Sequence, residues 1–189
     1  MPPRVLLNAQ QIETAVQLLT RDILAQEDLK HGAFALVGIR THGVTLAQRL
    51  QTLLRKKTKF AIPMGILDIT LYRDDLGSTR SAPVVQSTAI DFDIADRHIV
   101  LVDDVLYTGR TVRAALNALT DYGRPRFIKL AVLIDRGGRE LPIEAQYVGA
   151  TAKVDKEHMV KLYLQETDAR EEAVVVAKAG KPAMEKKAR

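Results

Sequence analysis

The apolar positions of this chain repeat at two periods. Ile12, Ala15, Val16, Leu19 and Ile23 recur at steps of three and four behind Asn8 and Gln11, which predicts a capped amphipathic helix over about 9–27. Leu46, Ala47, Leu50, Leu53 and Leu54 predict a second helix over 44–55. Between them, Phe34-Ala35-Leu36-Val37-Gly38-Ile39 is a continuous apolar run of strand length. The same pattern gives a strand over about 62–72, a short one over 84–88, another at 99–102, a helix over 111–122 stopped by Gly123, a strand at 128–134, and shorter strands near 146–149 and 160–164. Strands without polar alternation are buried on both faces. Their alternation with helices predicts an α/β domain with a central, mainly parallel sheet flanked by helices. Ligands of such sheets sit beyond the carboxyl ends of the strands.

The chain's 189 residues favour one domain, and with 47% apolar and 27% charged residues the composition is that of an ordinary globular protein. No stretch approaches the ~18 apolar residues of a membrane span, so no membrane association is expected. The start, Met1 to Asn8, is too poor in apolar residues for a secretory signal, and cysteine is absent. Thiol catalysis and cysteine–zinc sites are thereby removed, and a cytoplasmic location is expected. His31, His42, His98 and His158 lack HExxH spacing, which leaves no zinc site. Of the net charge of +5, residues 178–189 carry +4, which marks a solvated, disordered basic tail behind a nearly neutral body over 1–177. Aromatic residues are few and Trp is absent, so a platform for stacking single-stranded bases has no support.

The chemistry concentrates in Ile99-Val100-Leu101-Val102-Asp103-Asp104-Val105-Leu106-Tyr107-Thr108-Gly109-Arg110-Thr111. Four buried residues lead into two adjacent carboxylates, and a Gly-containing, hydroxyl-rich turn then opens a helix. That turn can aim backbone N–H groups, two hydroxyls and the positive end of a helix dipole at one anion. Two acids beside a phosphate cradle make sense if the ligand also carries hydroxyls that need acceptors, or a divalent cation; a phosphorylated sugar meets both conditions. No P-loop ending follows, which disfavours a nucleoside triphosphatase. The bare pattern leaves open that the acids simply end the strand while Thr108 or Thr111 caps the helix.

The stretch from Val100 to Thr111 resembles the 5-phosphoribosyl-1-pyrophosphate (PRPP) motif of type I phosphoribosyltransferases. Three further blocks, Gly38 to Gly43, Leu67 to Leu76 and Leu130 to Ile143, resemble in order the uracil-specific branch that also regulates pyrimidine genes. The resemblance covers about residues 5–165. It implies a type I phosphoribosyltransferase fold over 1–177 with a small flexible hood at about 65–92. Uracil and PRPP would give UMP and pyrophosphate, and the chain would self-associate.

By the same resemblance, Asp103 and Asp104 would bind the ribose hydroxyls, Thr108, Gly109, Arg110 and Thr111 the 5′-phosphate, and Tyr107 would belong to the PRPP site. Arg40, Thr41, His42 and Gly43 would take the pyrophosphate, with Gly38 and Gly43 giving backbone access. Arg73, beside Asp74 and Asp75 in the hood, would place positive charge near the leaving group, and Ile134, Asp135 and Arg136 would contact uracil, largely through backbone groups matching its donor and acceptor edge. Mg2+ would be held mainly by PRPP and water, with Asp103 and Asp104 as the protein's carboxylates. Two rivals remain: an RNA-binding attenuator that senses UMP on pyrimidine leader RNA, and a purine-base enzyme sharing the PRPP site. The attenuators are expected to bind RNA through hydroxyl and basic side chains on the first helix and near the loops after 136 and 149. This chain has Gln17, Leu18 and Gln26, then Gly138, Glu144 and Ala150, at those places, while Arg21 and Arg139 remain.

Overall fold

The computed structural model describes residues 3–29, 33–72 and 87–178. Its elements are β1 (Arg4–Asn8), α1 (Ala9–Gln26), β2 (Phe34–Ile39), α2 (His42–Thr58), β3 (Met64–Leu67), β4 (His98–Leu106), α3 (Arg110–Thr120), β5 (Phe127–Asp135), β6 (Tyr147–Thr151), β7 (His158–Tyr163), α4 (Gln165–Asp168) and β8 (Glu172–Ala177). Five strands form the predicted parallel sheet in the order β3-β2-β4-β5-β6. No described helix is long and apolar enough to cross a membrane.

Both faces of this sheet are covered. Phe34, Leu36, Val100, Val102, Ala131 and Leu133 pack with Ile12, Leu19 and Ile23 of α1 and Leu46, Leu50 and Leu54 of α2. Their neighbours Ala35, Val37, Ile99, Leu101, Leu130 and Val132 pack with Val112, Ala115 and Leu119 of α3 and with Ile94. The period-two alternation is therefore real but apolar on both sides, which is why the sequence shows it as unbroken runs.

Local chemistry sets the element ends. Asn8 caps α1 by accepting from the Gln11 N–H at 2.9 Å while the Gln11 side chain accepts from the Asn8 N–H at 2.9 Å. Helix α2 is longer than its apolar periodicity predicts. Its last turn is Arg55-Lys56-Lys57-Thr58, polar but favoured by the helix dipole, and Lys59 ends it at φ +64°. The strand expected over 62–72 stops at Leu67, because the Asp68 carboxylate accepts from the Thr70 N–H at 2.9 Å and hydroxyl at 2.5 Å and winds Thr70–Tyr72 into a 3-10 turn. Of the short strand expected over 84–88, residues 84–86 lie outside the described residues; Ala89 forms an isolated antiparallel bridge to Ile66.

Two findings depart from the sequence reading. Strand β4 does not end at Val102: pairing with β2 stops at Gly38 opposite Val102, whereas pairing with β5 continues to Leu106 opposite Asp135. Asp103 and Asp104 thus lie on a one-sided extension of the strand rather than at its end. The second departure is a separate antiparallel sheet, β1-β8-β7, in which β8 lies between the first strand of the chain and β7.

Candidate functional site

The carboxyl ends of β2, β4 and β5 converge as the parallel sheet requires. Where β2 gives out, the loop Arg40-Thr41-His42-Gly43 folds against the flank of β4. The packing is tight: a Cβ on Gly43 would stand 2.3 Å from the Val102 carbonyl oxygen, and one on Gly38 would stand 2.6 Å from Val44 Cα. These glycines therefore seat the loop on its own sheet. The Arg40–Thr41 peptide is cis, and Arg40 donates from Nη2 to the Ser87 carbonyl at 3.0 Å.

The two carboxylates differ. Asp103 is 5% exposed, and burial, reinforced by the adjacent Asp104 charge, pushes its carboxyl well above the usual range. The Asp104 side chain is 27% exposed and is the more accessible of the two. One of its oxygens accepts from the Val105 N–H at 2.8 Å, and the other lies 3.3 Å from His42 Nδ1. His42 Nε2 lies 3.1 Å from Asp168 of α4. The hydrogen bond to Asp104, opposed by desolvation and aided by Asp168, raises the imidazole above its ordinary value. Asp168 has no counterpart in the sequence reading. It stands in the acidic run Glu166 to Glu172, which resembles a solvated surface until α4 folds back onto α2.

The turn after β4 begins as predicted. Gly109, the N-cap of α3, takes φ +92° and makes no side-chain cap, and the first-turn N–H groups of a helix have no partner within it. Thr108 Oγ1 accepts from the Arg110 N–H at 3.3 Å, and the Arg110 guanidinium pairs with Glu140 at 2.8 Å.

Other predicted site residues serve the framework. Arg136 is 4% exposed; its guanidinium donates to the carbonyls of Val154, Asp155 and His158 at 2.8–3.1 Å and stacks 4.0 Å from the Tyr107 ring. Its N–H is taken by the Leu106 carbonyl at 3.1 Å, and Ile134 is fully buried in the core. Tyr107 is wedged between Arg136 and Gly138. Of the three residues expected at uracil, only Asp135 lines the cavity of about 350 Å³ at the ends of β5 and β6, together with Gly137, Thr151, Ala152 and Lys153. Arg139 is drawn inward to the carbonyls of Ile143 at 2.9 Å and Tyr107 at 3.0 Å and to the Asp135 carboxylate. Arg21 stays on the surface of α1, paired with Asp22 at 2.8 Å. Arg73, with half of the expected hood (residues 73–86), lies outside the described residues, as does the tail beyond Lys178.

A family model for the phosphoribosyl transferase domain matches residues 5–167. The bifunctional protein PyrR of Syntrophobacter fumaroxidans is 51% identical over 172 residues, which span 91% of this chain and 92% of that one. The chain belongs to the PyrR family of phosphoribosyltransferases. The PyrR of Deinococcus radiodurans is 48% identical over 167 residues, 88% of this chain and 91% of its own. Among solved structures, the hypoxanthine phosphoribosyltransferase of Trypanosoma cruzi superposes with a TM-score of 0.66 at 18% identity, covering 93% of this chain and 97% of that one. The Staphylococcus aureus hypoxanthine phosphoribosyltransferase gives 0.65 at 19%, covering 93% and 92%. At such identity the likeness is one of fold. Membership of the PyrR family agrees with the type I fold and the phosphoribosyltransferase class read from the four sequence blocks.

Proposed function

We propose that the protein acts in the cytoplasm as a uracil phosphoribosyltransferase, converting uracil and PRPP to UMP and pyrophosphate, and that RNA-based regulation of pyrimidine genes is its weaker activity. The observation that supports this most is the meeting of three unlike parts at the carboxyl ends of β2 and β4. They are a part-exposed carboxylate at Asp104, an uncapped helix terminus behind Gly109, and a loop seated by Gly43. An acceptor for hydroxyls, a donor cradle for a phosphate and a second backbone loop match the three chemical groups of PRPP.

In this reading the N–H groups at the start of α3, with the Thr108 and Thr111 hydroxyls, hold the 5′-phosphate. Asp104 accepts from the ribose hydroxyls, with Asp103 buried behind it. The loop at Arg40 to Gly43 takes the pyrophosphate, and Arg73 in the hood adds positive charge as that group departs. Uracil enters the cavity beside Asp135 and Lys153, and N1 bonds to C1′ as the bond to pyrophosphate breaks, the N1 proton passing to the departing pyrophosphate or to water. Shielding C1′ from water is the task assigned to the hood.

The donor set fits Mg2+. Asp103 and Asp104 offer only oxygen, and no group of three metal-ligating side chains converges among the described residues, so substrate and water would complete the shell. Bound there, the ion supplies Lewis acidity and offsets charge on the leaving group.

Steady-state assays of uracil, hypoxanthine and orotate with PRPP and Mg2+ test the enzyme reading. Turnover of uracil alone is expected, and preference for hypoxanthine overturns it in favour of a purine enzyme. For RNA, the first helix offers Gln17 and Gln26, Arg21 is already paired, Arg139 is spent inside the fold, and the exposed Glu144 repels phosphate. Each missing cation removes about one phosphate contact, so both affinity and its salt slope should be low. Gel-shift titration of pyrimidine leader RNA at two salt concentrations, with and without UMP, measures this. Tight, UMP-enhanced binding at physiological salt would restore RNA regulation as an equal activity.

A further inference from the structure

Asp168 lies far along the chain from every motif block, yet it holds one end of a three-residue line that reaches Asp104. His42, in the first turn of α2, presents Nδ1 to Asp104 at 3.3 Å and Nε2 to Asp168 at 3.1 Å. The Asp168 oxygen that meets His42 is itself fixed, accepting from the Leu164 N–H at 2.9 Å and the Thr167 hydroxyl at 2.6 Å. A ring held at both nitrogens cannot turn about its long axis. Asp104 is then held at both oxygens, by the Val105 N–H on one and His42 on the other.

Asp168 is not required to dock its own segment. Arg49 of α2 does that with a double fork, to Glu166 at 2.6 and 2.8 Å and to Glu171 at 2.6 and 2.9 Å. Removing the Asp168 charge would therefore leave α4 against α2 while weakening the hold on the imidazole to that of a neutral hydrogen bond. The side-chain bond it makes outside its own segment is the one to His42.

We propose that Asp168 is a positioning residue for PRPP: through His42 it fixes the Asp104 carboxylate in the orientation that accepts the ribose hydroxyls. The proposal rests on the reading of Asp104 as the ribose acceptor. Prior orientation removes the cost of ordering the carboxylate when substrate arrives, so the effect belongs to binding more than to the chemical step.

The test uses the full-length chain with saturating uracil, varied PRPP and Mg2+, and compares Asp168→Asn, His42→Gln, the double variant and Arg49→Met. Asp168→Asn should raise KM for PRPP about tenfold with kcat within about twofold, and the ring N–H resonance of 15N-labelled His42 should shift. His42→Gln cuts the same line without touching Leu164 or Thr167; because His42 also belongs to the pyrophosphate loop, its KM should rise at least as far, and it stands in if Asp168→Asn does not fold. The double variant should be no worse than His42→Gln alone, since both act through one link. Arg49→Met, which loosens the segment but spares the line, should move KM by less than threefold. An unchanged KM in Asp168→Asn, additive effects in the double variant, or an equal KM rise in Arg49→Met each overturn the proposal. If the parent protein itself binds no PRPP by calorimetry, the reading of the site has failed instead, and that result is separate from any comparison among variants.

Discussion

Gly43→Ala probes the seat of the pyrophosphate loop with one methyl group. The added Cβ would stand 2.3 Å from the Val102 carbonyl oxygen and 3.2 Å from Asp103 Cα, whereas ordinary contact begins near 3.4 Å. The obstacle is backbone in the middle of the sheet, which β5 holds in register on the other side, so the loop must give way. It must retreat by about 1 Å, and a misplacement of about 1 Å between reacting groups costs roughly 100-fold in rate. We therefore expect kcat/KM for PRPP to fall about 100-fold, equivalent to about 2.7 kcal/mol. Overpacking of this kind also costs about 1–3 kcal/mol of stability, or roughly 2–4 °C of Tm per kcal/mol for a domain of this size. Steady-state kinetics well below Tm separate the two effects. A kcat/KM within threefold of the parent, with Tm unchanged, would refute the argument, because it would mean that the loop does not lie where this packing puts it.

The two adjacent aspartates should separate function from stability. Replacing both by Asn removes charge-assisted bonds to the ribose and should lower kcat/KM by roughly 100-fold or more, about 3 kcal/mol. Asp103→Asn alone should raise Tm at pH 8. A carboxyl whose folded pKa is raised stabilises only while protonated, so ionising it at higher pH costs stability; the gain should vanish below the ordinary value of 3.8, and calorimetry at two pH values checks it. Glu27→Gln weakens a part-buried cluster in which Glu27, its side chain 3% exposed, meets Lys129, 33% exposed, at 2.5 Å and the Tyr147 hydroxyl. About 2 kcal/mol should be lost, a Tm fall of roughly 4–8 °C, with kinetics intact because the cluster lies at the amino ends of the strands. Arg49 holds the Glu166 and Glu171 carboxyls below their ordinary value of 4.5 through its hydrogen bonds to them. Their stabilisation is present above that value and disappears as pH falls through the depressed pKa values, so Arg49→Met should flatten the acid limb of an unfolding profile, and an unaltered limb would count against the pairing.

The sequence revealed most where local chemistry and tertiary packing agree. Apolar runs from Phe34, Ile99 and Ile128 were legible as strands because both sheet faces are covered, and Asn8 with Gln11 marked a helix start that the structure reproduces atom for atom. The end of β4 was not legible. Asp103 and Asp104 look like a boundary in isolation, and only the neighbouring β5 explains why the strand continues. Strands β1 and β8 escaped because each is short and acquires its partner from the far end of the chain, so no window of sequence contains the pair. Arg139 shows the limit for the site: its charge pointed to RNA, but the carbonyls of Ile143 and Tyr107 claimed it. Asp168 gave no signal, since its role depends on a histidine 126 positions away.

The pairing of β1 with β8 has a consequence for how the protein comes into being. The parallel sheet can assemble from residues that leave the ribosome before β7 is made, but β1 has no strand to pair with until Glu172–Ala177 follow. The segment carrying Asp168 emerges in the same final stretch. Newly made chains would thus own a phosphate cradle before they own a braced Asp104, so a truncated product ending after β7 should keep the core yet bind PRPP poorly. Contacts this distant along the chain are also the slowest to form, which places completion of the cleft at the end of folding as well as of synthesis.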